Sequence, residues 1–294
     1  MAKISEALKT DDCDAYAAKA KAYRNLAQEI KEEFQTRYVD ADGDLKQKSQ
    51  TAYLLALKQD LFPTEEARKK GLETLTRKIA GNGNRLSTGF VGTAILNQTL
   101  SQFGESDTAY NLLLQRGNPS WLYSIDQGAT TIWERWDSYT KEKGFGPVSM
   151  NSFNHYSYGA VSEWMYRTMG GIDIDETRPG FKHIVLQPVP DNRTEIPAGQ
   201  ERINWVNASF PSCYGDIKSS WKKENDGAVS YQISIPANTT ATLHLQLPTL
   251  DYVVEESGKA AVKAEGVSSI TFMNGKAVLE LQSGSYQFVV KKGK

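Results

Sequence analysis

The sequence predicts a two-part chain, helical hairpins first and an antiparallel β-sandwich after them. Three observations carry that expectation. Up to about residue 170 the apolar residues recur at three- and four-residue steps, the period of a helix with one buried face. From Pro179 onward they alternate with polar residues in short runs, the period of a half-buried strand. Those runs are divided by hairpin signals, Asp226-Gly227, Asn274-Gly275 and Ser283-Gly284. The change of period falls at "DIDETRPG" and divides the chain into residues 1–178 and 179–294.

The helices follow in order. Residues 11–36 place Tyr16, Tyr23, Leu26, Ile30 and Phe34 on one face, and "DADGD" then breaks the pattern. Residues 46–60 form a second helix around Tyr53, Leu54 and Leu57. The third, "LFPTEEARKKGLETLTRKIAGNG", starts at Pro63 and Thr64, carries acids in its first turn and stops at Gly81. "STGFVGTAILNQTLSQFG" is the fourth, and "SDTAYNLLLQRGNPSW" a short fifth ended by Gly117 and Pro119. "YGAVSEWMYRTMGG" is the sixth. Short breaks between such helices favour stacked antiparallel hairpins. The segment from about 118 to 155 is the exception, a long loop rich in Gly, Ser, Asn and aromatics, and loops of that length are usually functional. The runs "FKHIVLQP", "RINWVNASF", "GDIKSSWKKENDGAVSYQISIP", "TTATLHLQLP" and "SSITFMNGKAVLELQSGSYQFVVKK" account for about eight to ten strands.

Composition removes several function classes. With 34 basic and 35 acidic residues the net charge is −1, so there is no electrostatic reason to expect nucleic acid or an anionic membrane as partner. No apolar run approaches the roughly 20 residues of a membrane span, and "MAKISEALKTDDCDAYAAKAK" lacks the apolar core of a secretory signal. Cys13 and Cys213 are too few and too far apart for a disulfide framework. The three histidines, His155, His183 and His244, have no metal spacing and no cysteine nearby, so no metal or other cofactor is expected. "DADGDLKQKSQT" resembles a calcium loop, but its Gly comes two places early and Thr51 stands where a Glu should close it; a polar, helix-breaking turn explains it better. "GNGNRLSTG" follows a helix and lacks Gly-Lys-Ser/Thr, so it reads as a loop with an N-cap at Ser87 or Thr88. No G-x-S-x-G occurs, and acyl-transfer chemistry of the hydrolase kind has no support.

The chemistry concentrates in "GATTIWERWDSYT", residues 128–140, where Glu134 lies between Trp133 and Arg135 with Trp136 beyond. A buried aromatic patch covered by a Glu–Arg pair has the same composition. The functional alternative is a carboxylate in an aromatic-walled pocket: indole faces pack on the C–H faces of a sugar ring, and a carboxylate among them can poise a water for attack at an anomeric carbon. Arg135 and Asp137 either fix that carboxylate or pair with each other. "NPSWLYS" adds Trp121 and Tyr123 upstream, and "FNHYSYG" adds His155 downstream. A lone histidine is more often structural, but this one ends the unusual loop.

"GATTIWERWD", "MNSFNHYSYGAVSEWMY", "PGFKHIVLQPVP" and "YGDIKSSW…VSYQISIPANTTATLHL" together resemble the bacterial α-L-rhamnosidases of glycoside hydrolase family 78, with "QTAYLLAL" and "STGFVGT" in agreement. The resemblance covers nearly the whole chain. It implies an (α/α)6 toroid followed by a C-terminal β-sandwich, and hydrolysis of terminal α-L-rhamnosyl residues with inversion. On the same resemblance Glu134 matches the general base and His155 a sugar-contacting histidine, with Trp121, Trp133 and Trp136 as pocket walls and Arg135 beside them. Rhamnose-containing glycans or glycosides are the implied partners.

The departure from the family is one of extent. A complete toroid needs twelve helices and this chain shows about six or seven. The family's general acid lies upstream, and no acid in residues 1–44 has a comparable aromatic setting. The chain is therefore expected to be the C-terminal half of such an enzyme, exposing helix faces that the upstream half would cover, and to be inactive alone. The competing expectations are a non-catalytic carbohydrate-binding or assembly protein with a degenerate toroid, and another (α/α)6 sugar enzyme, a different hydrolase or a lyase using Tyr156 and His155. The loop is not basic, as uronate recognition by a lyase would want.

Overall fold

Helices come first along the chain and sheets second. The structure is a computed structural model that describes residues 1–7, 14–249 and 251–293. Cys13 and the first residues of the helix expected at 11–36 lie outside the described residues. The chain forms two compact units, Met1–Gly92 and Thr93–Lys294.

The first unit holds α1 (Ala2–Ala7), α2 (Asp14–Tyr38), α3 (Gln50–Lys58) and α4 (Glu65–Gly81). Ser49 and Thr64 cap α3 and α4, each hydroxyl accepting from the N–H three residues on, as Ser and Thr at N-caps do. Tyr53, Leu54 and Leu57 of α3 meet Leu75 and Ile79 of α4 in a fully buried core. The turn at 40–44 is closed by its own groups. The Asp40 carboxylate accepts from the N–H groups of Asp42 and Asp44 at 3.0 and 2.9 Å. Asp44 receives the Tyr53 hydroxyl at 2.8 Å and the Lys48 ammonium at 2.6 Å. Two of the three carboxylates of the calcium-like motif, Asp40 and Asp44, thus already have partners, and among the described residues no cluster of three or more His, Cys, Asp or Glu side chains is arranged to hold a metal. On α2, Tyr23, Leu26 and Ile30 form an apolar stripe that stays exposed.

Helix α5 (Phe90–Gln102) begins at the end of the first unit, and in the second it leads into α6 (Ser106–Leu113). The segment expected as one long loop contains a helix, α7 (Trp121–Asp126), and a small hairpin of β1 (Tyr139–Thr140) and β2 (Gly144–Phe145). Helix α7 is too short to show a period; Ser120, capping it through the N–H of Tyr123, starts it. The sixth predicted helix is a run of changing pitch: a 3-10 turn at Ser157–Ala160, α8 (Val161–Trp164) and a π-turn at Met165–Met169.

The sheets contain more strands than the alternating runs predict. β3 (Ile172–Ile174), β4 (His183–Leu186), β5 (Trp205–Ser212), β6 (Gly215–Lys223), β7 (Val229–Ile235), β8 (Thr240–Gln246), β9 (Tyr252–Glu256), β10 (Lys259–Ala260), β11 (Val267–Met273), β12 (Lys276–Leu281) and β13 (Gly284–Lys292) form two sheets. Their orders are β10-β9-β13-β7-β6-β5 and β11-β12-β8-β4-β3. Pairing is antiparallel except for β4 beside β8. Strand β3 enters its sheet ahead of Pro179; it is too short to show alternation. Ile184, Leu243, Leu279, Trp221 and Phe288 are among the residues filling the core between the sheets.

Among the contacts that tie the helical part of this unit to the sandwich, three bury large side chains. The Trp221 indole donates to the carbonyl of Met169 at 2.7 Å, and the Tyr110 hydroxyl to that of Val189 at 2.8 Å. The third is a buried network. Arg193 forms a two-pronged bond to Asp191 at 2.9 and 2.8 Å and also reaches Asn111 of α6, Gln200 and the carbonyl of Glu201. Asp191 in turn accepts the N–H of Ile203.

His183 is buried in the sandwich, its ring nitrogens 2.7 and 2.9 Å from the hydroxyls of Thr240 and Thr242. Burial, and then Arg178, hold its pKa below the usual 6.5. Burial and Lys276 do the same to His244. A depressed histidine pKa means that the unfolded chain takes up protons first. The stability these residues contribute is therefore complete above about pH 6.5 and is lost as pH falls through that value. The melting temperature is expected to fall between pH 7.5 and 5.5, and to fall less in a His183→Gln, His244→Gln variant. Equal slopes for the two proteins would rule the histidines out as the cause.

Candidate active site

Segments 131–134 and 152–155 run beside each other as a ribbon. The N–H of Glu134 donates to the carbonyl of Ser152 at 2.9 Å, and the N–H of His155 to that of Ile132 at 2.8 Å. The Thr131 hydroxyl donates to the carbonyl of Phe153 between them. The ribbon brings Glu134 and His155 together across the loop. It also aims the carboxylate, because the N–H of Ser152 donates back to Oε2 of Glu134 at 2.9 Å. The second carboxylate oxygen is not part of that bond, and Glu134 is half-buried, open on one side to water.

Two aromatic clusters hold the ribbon. In the first, the Trp136 ring stacks on Tyr158 with centroids 3.8 Å apart and planes 16° off parallel. Trp121 meets Trp136 edge-on at 5.4 Å, and its indole N–H donates to the carbonyl of Tyr158 at 2.8 Å. In the second, Trp133 packs edge-on against Phe153 at 5.3 Å, and Phe145 against Phe153 at 5.6 Å. The edge-on geometry of these last pairs is a favourable one for such rings. Trp121 and Trp133 are buried, whereas Trp136 is half-buried. Burial first, and the charge of Glu134 second, push the Tyr158 hydroxyl above its usual pKa.

The remaining site residues fall into place around this frame. Arg135 pairs with Asp137 at 3.4 Å, both partly exposed, so of the two roles open to the pair the mutual one is realised. The N–H of Arg135 meets the Ser138 hydroxyl at 3.2 Å, and Ser124 of α7 donates to the carbonyl of Trp136 at 2.7 Å. Nδ1 of His155 accepts the N–H of Ser157 at 3.3 Å, and its ring lies parallel to that of Tyr156, 5.5 Å away. Phe145, Val148, Met150 and Tyr156 stand exposed around the ribbon.

Sequence reading missed Ser152, Phe153 and Tyr158 as parts of the site. Tyr158 was within reach, since it belongs to the aromatic run "FNHYSYG". Ser152 meets Glu134 through main-chain groups alone, which leave no mark in the sequence; its hydroxyl accepts the N–H of Asn154 at 3.2 Å.

The glutamate-on-a-ribbon arrangement lies within the reach of one family model. The model of the bacterial α-L-rhamnosidase six-hairpin glycosidase domain matches residues 1–169, more than half of the chain. The chain belongs to the bacterial α-L-rhamnosidases. The model of the rhamnosidase C-terminal domain matches residues 171–260, within the sheet-rich part. An α-L-rhamnosidase of Streptomyces avermitilis is 39% identical over 271 residues, 92% of this chain and 24% of the relative. One from Formosa agariphila is 39% identical over 254 residues, 83% of this chain and 25% of the relative. Among solved structures, the Streptomyces avermitilis rhamnosidase complexed with L-rhamnose has a TM-score of 0.83 at 37% identity, covering 99% of this chain and 25% of that one. The Aspergillus terreus rhamnosidase has a TM-score of 0.81 at 28% identity, covering 100% of this chain and 29% of that one. The chain thus spans about a quarter of the length of the curated rhamnosidases it matches.

Proposed function

We propose that this chain carries the water-activating part of an inverting α-L-rhamnosidase site, with Glu134 as general base. One observation carries the reading: the Glu134 carboxylate is fixed by the N–H of Ser152 on a ribbon that also bears His155. A carboxylate aimed in this way can hold a water and take its proton as the water attacks the anomeric carbon. His155 and Arg135 are read as the residues that bond sugar hydroxyls. Trp136 offers an accessible aromatic surface, with Trp121 and Trp133 as the walls behind. Residues 1–178 are read as the C-terminal half of the toroid and 179–294 as its sandwich, with strand β3 running ahead of that division.

Inversion requires a second carboxyl group about 6.5–9.5 Å from the first, to protonate the leaving group. Asp137, the nearest acid in sequence, is paired with Arg135. We assign the general acid to sequence outside these 294 residues, in keeping with the fraction of its relatives that the chain spans. Support also comes from the exposed stripe Tyr23, Leu26 and Ile30 on α2 and from the exposed Phe145 and Val148 beside the ribbon, apolar surface that a further helical segment would cover. Terminal α-L-rhamnosides are the substrates.

The chain alone, given an aryl α-L-rhamnoside, is expected to release no phenol above background. Mixed with the helical half of a homologous toroid, it is expected to turn over. Rapid Glu134-dependent release by the chain alone would overturn the division of acid and base. Rhamnose binding without any turnover in the completed toroid would favour a carbohydrate-binding protein instead.

A further inference from the structure

The outer face of the six-stranded sheet carries a row of uncharged polar side chains four strands wide. Register places Asn207 of β5 opposite Ser220 of β6, Ser220 opposite Gln232 of β7, and Gln232 opposite Gln287 of β13. Their neighbours Ser219, Trp221, Tyr231, Ile233, Tyr286 and Phe288 are buried, so the row points outward by strand alternation. The Ser220 hydroxyl donates to Oδ1 of Asn207 at 2.9 Å, which leaves the Asn207 NH2 group facing out. The side-chain amides of Gln232 and Gln287 bond no other described residue. The row lines a hollow of about 380 Å³, within the range of small-ligand sites.

A polar outer face is ordinary for an antiparallel sheet. Two features set this one apart. The row itself holds no charge; of the lysines in the adjoining rows, Lys222 is paired with Glu224, and Lys218 is, among the described residues, the one charged side chain at the hollow's rim. And Trp205, two residues from Asn207 on the same face of β5 and so roughly 7 Å along the strand, leaves 66% of its surface in water. Indole is a large apolar surface that proteins seldom leave so exposed without a use. Trp205 is on an edge strand, but Pro211 within that strand lacks an N–H and blunts the edge against an added strand.

We propose that this face binds a neutral oligosaccharide, the amide row bonding ring hydroxyls and the Trp205 indole lying under an adjacent sugar. The chemistry matches at each point: amides and hydroxyls both donate and accept, and the C–H face of a pyranose fits an indole. The site shares no residue with the Glu134 ribbon and does not rest on the activity proposed for it.

Electrophoresis of the full chain through gels carrying arabinogalactan, xyloglucan or polygalacturonate tests the assignment. At least one neutral polysaccharide is expected to retard the protein. Trp205→Ala is expected to weaken that retardation about tenfold or more, and Gln232→Ala with Gln287→Ala several-fold, while Glu134→Gln leaves it in place. Circular dichroism of each variant checks that the sheets persist. Retardation by neither neutral polysaccharide, by polygalacturonate alone, or equally in all of these variants would overturn the proposal.

Discussion

Glu134→Gln in the completed toroid is expected to lower kcat by about 10²–10⁴-fold with KM little changed, since general-base catalysis contributes on that order. Glutamine keeps the shape of the side chain, and its carbonyl oxygen can still accept the N–H of Ser152, so the ribbon survives. What is lost is the capacity to take a proton from water. The substrate contacts proposed for Trp136 and His155 are untouched, and the loss should therefore fall on the chemical step. Initial rates on an aryl rhamnoside measure it directly. If kcat stays within a few-fold of the parent, Glu134 is not the base and the ribbon is only a scaffold.

Arg193→Ala is expected to be the most destabilising single change in the second unit. Arg193 and Asp191 are both completely buried, and their two-pronged bond is embedded in contacts to Asn111, Gln200, Glu201 and Ile203. Burial drives the Asp191 pKa up, but the bonds from Arg193 and from the N–H of Ile203 outweigh it and leave the carboxyl below its usual range. Removing the guanidinium strands a buried negative charge, and breaking such pairs costs about 3–5 kcal/mol. In a chain of this size, each kcal/mol lowers the melting temperature by about 2–4 °C. Because the pair joins Asn111 of α6 to the segment between β4 and β5, the loss should loosen that junction as well as lower the global midpoint. Urea titration followed by tryptophan fluorescence reads both. A loss under about 1 kcal/mol would mean that water enters and solvates Asp191, contrary to its burial.

The order of helices and strands was legible because burial imposes a period on long elements. Tyr53, Leu54 and Leu57, or the alternation in "TTATLHLQLP", announce which face is inside. What was illegible had no period to show. Helix α7 is held by one serine cap and its tryptophan. The π-turn at Met165–Met169 carries the composition of an ordinary helix. Asp191 and Arg193 stand two apart in "VPDNRTEIP", a string that reads as exposed loop, and their burial is decided by α6 and Gln200 far away in sequence. The site divides in the same way. Glu134, the tryptophans around it and His155 stand out as residue types. The pairing of 134 with 152 arises from the folded path of a loop and involves no side chain of Ser152.

That last feature bears on how the family can vary. Because a main-chain amide aims the carboxylate, the bond to Glu134 does not depend on the side chain at position 152. Proline, which has no amide hydrogen to give, is barred from it, whereas loss of the serine hydroxyl would cost the bond from the N–H of Asn154 and leave the aim of Glu134 in place.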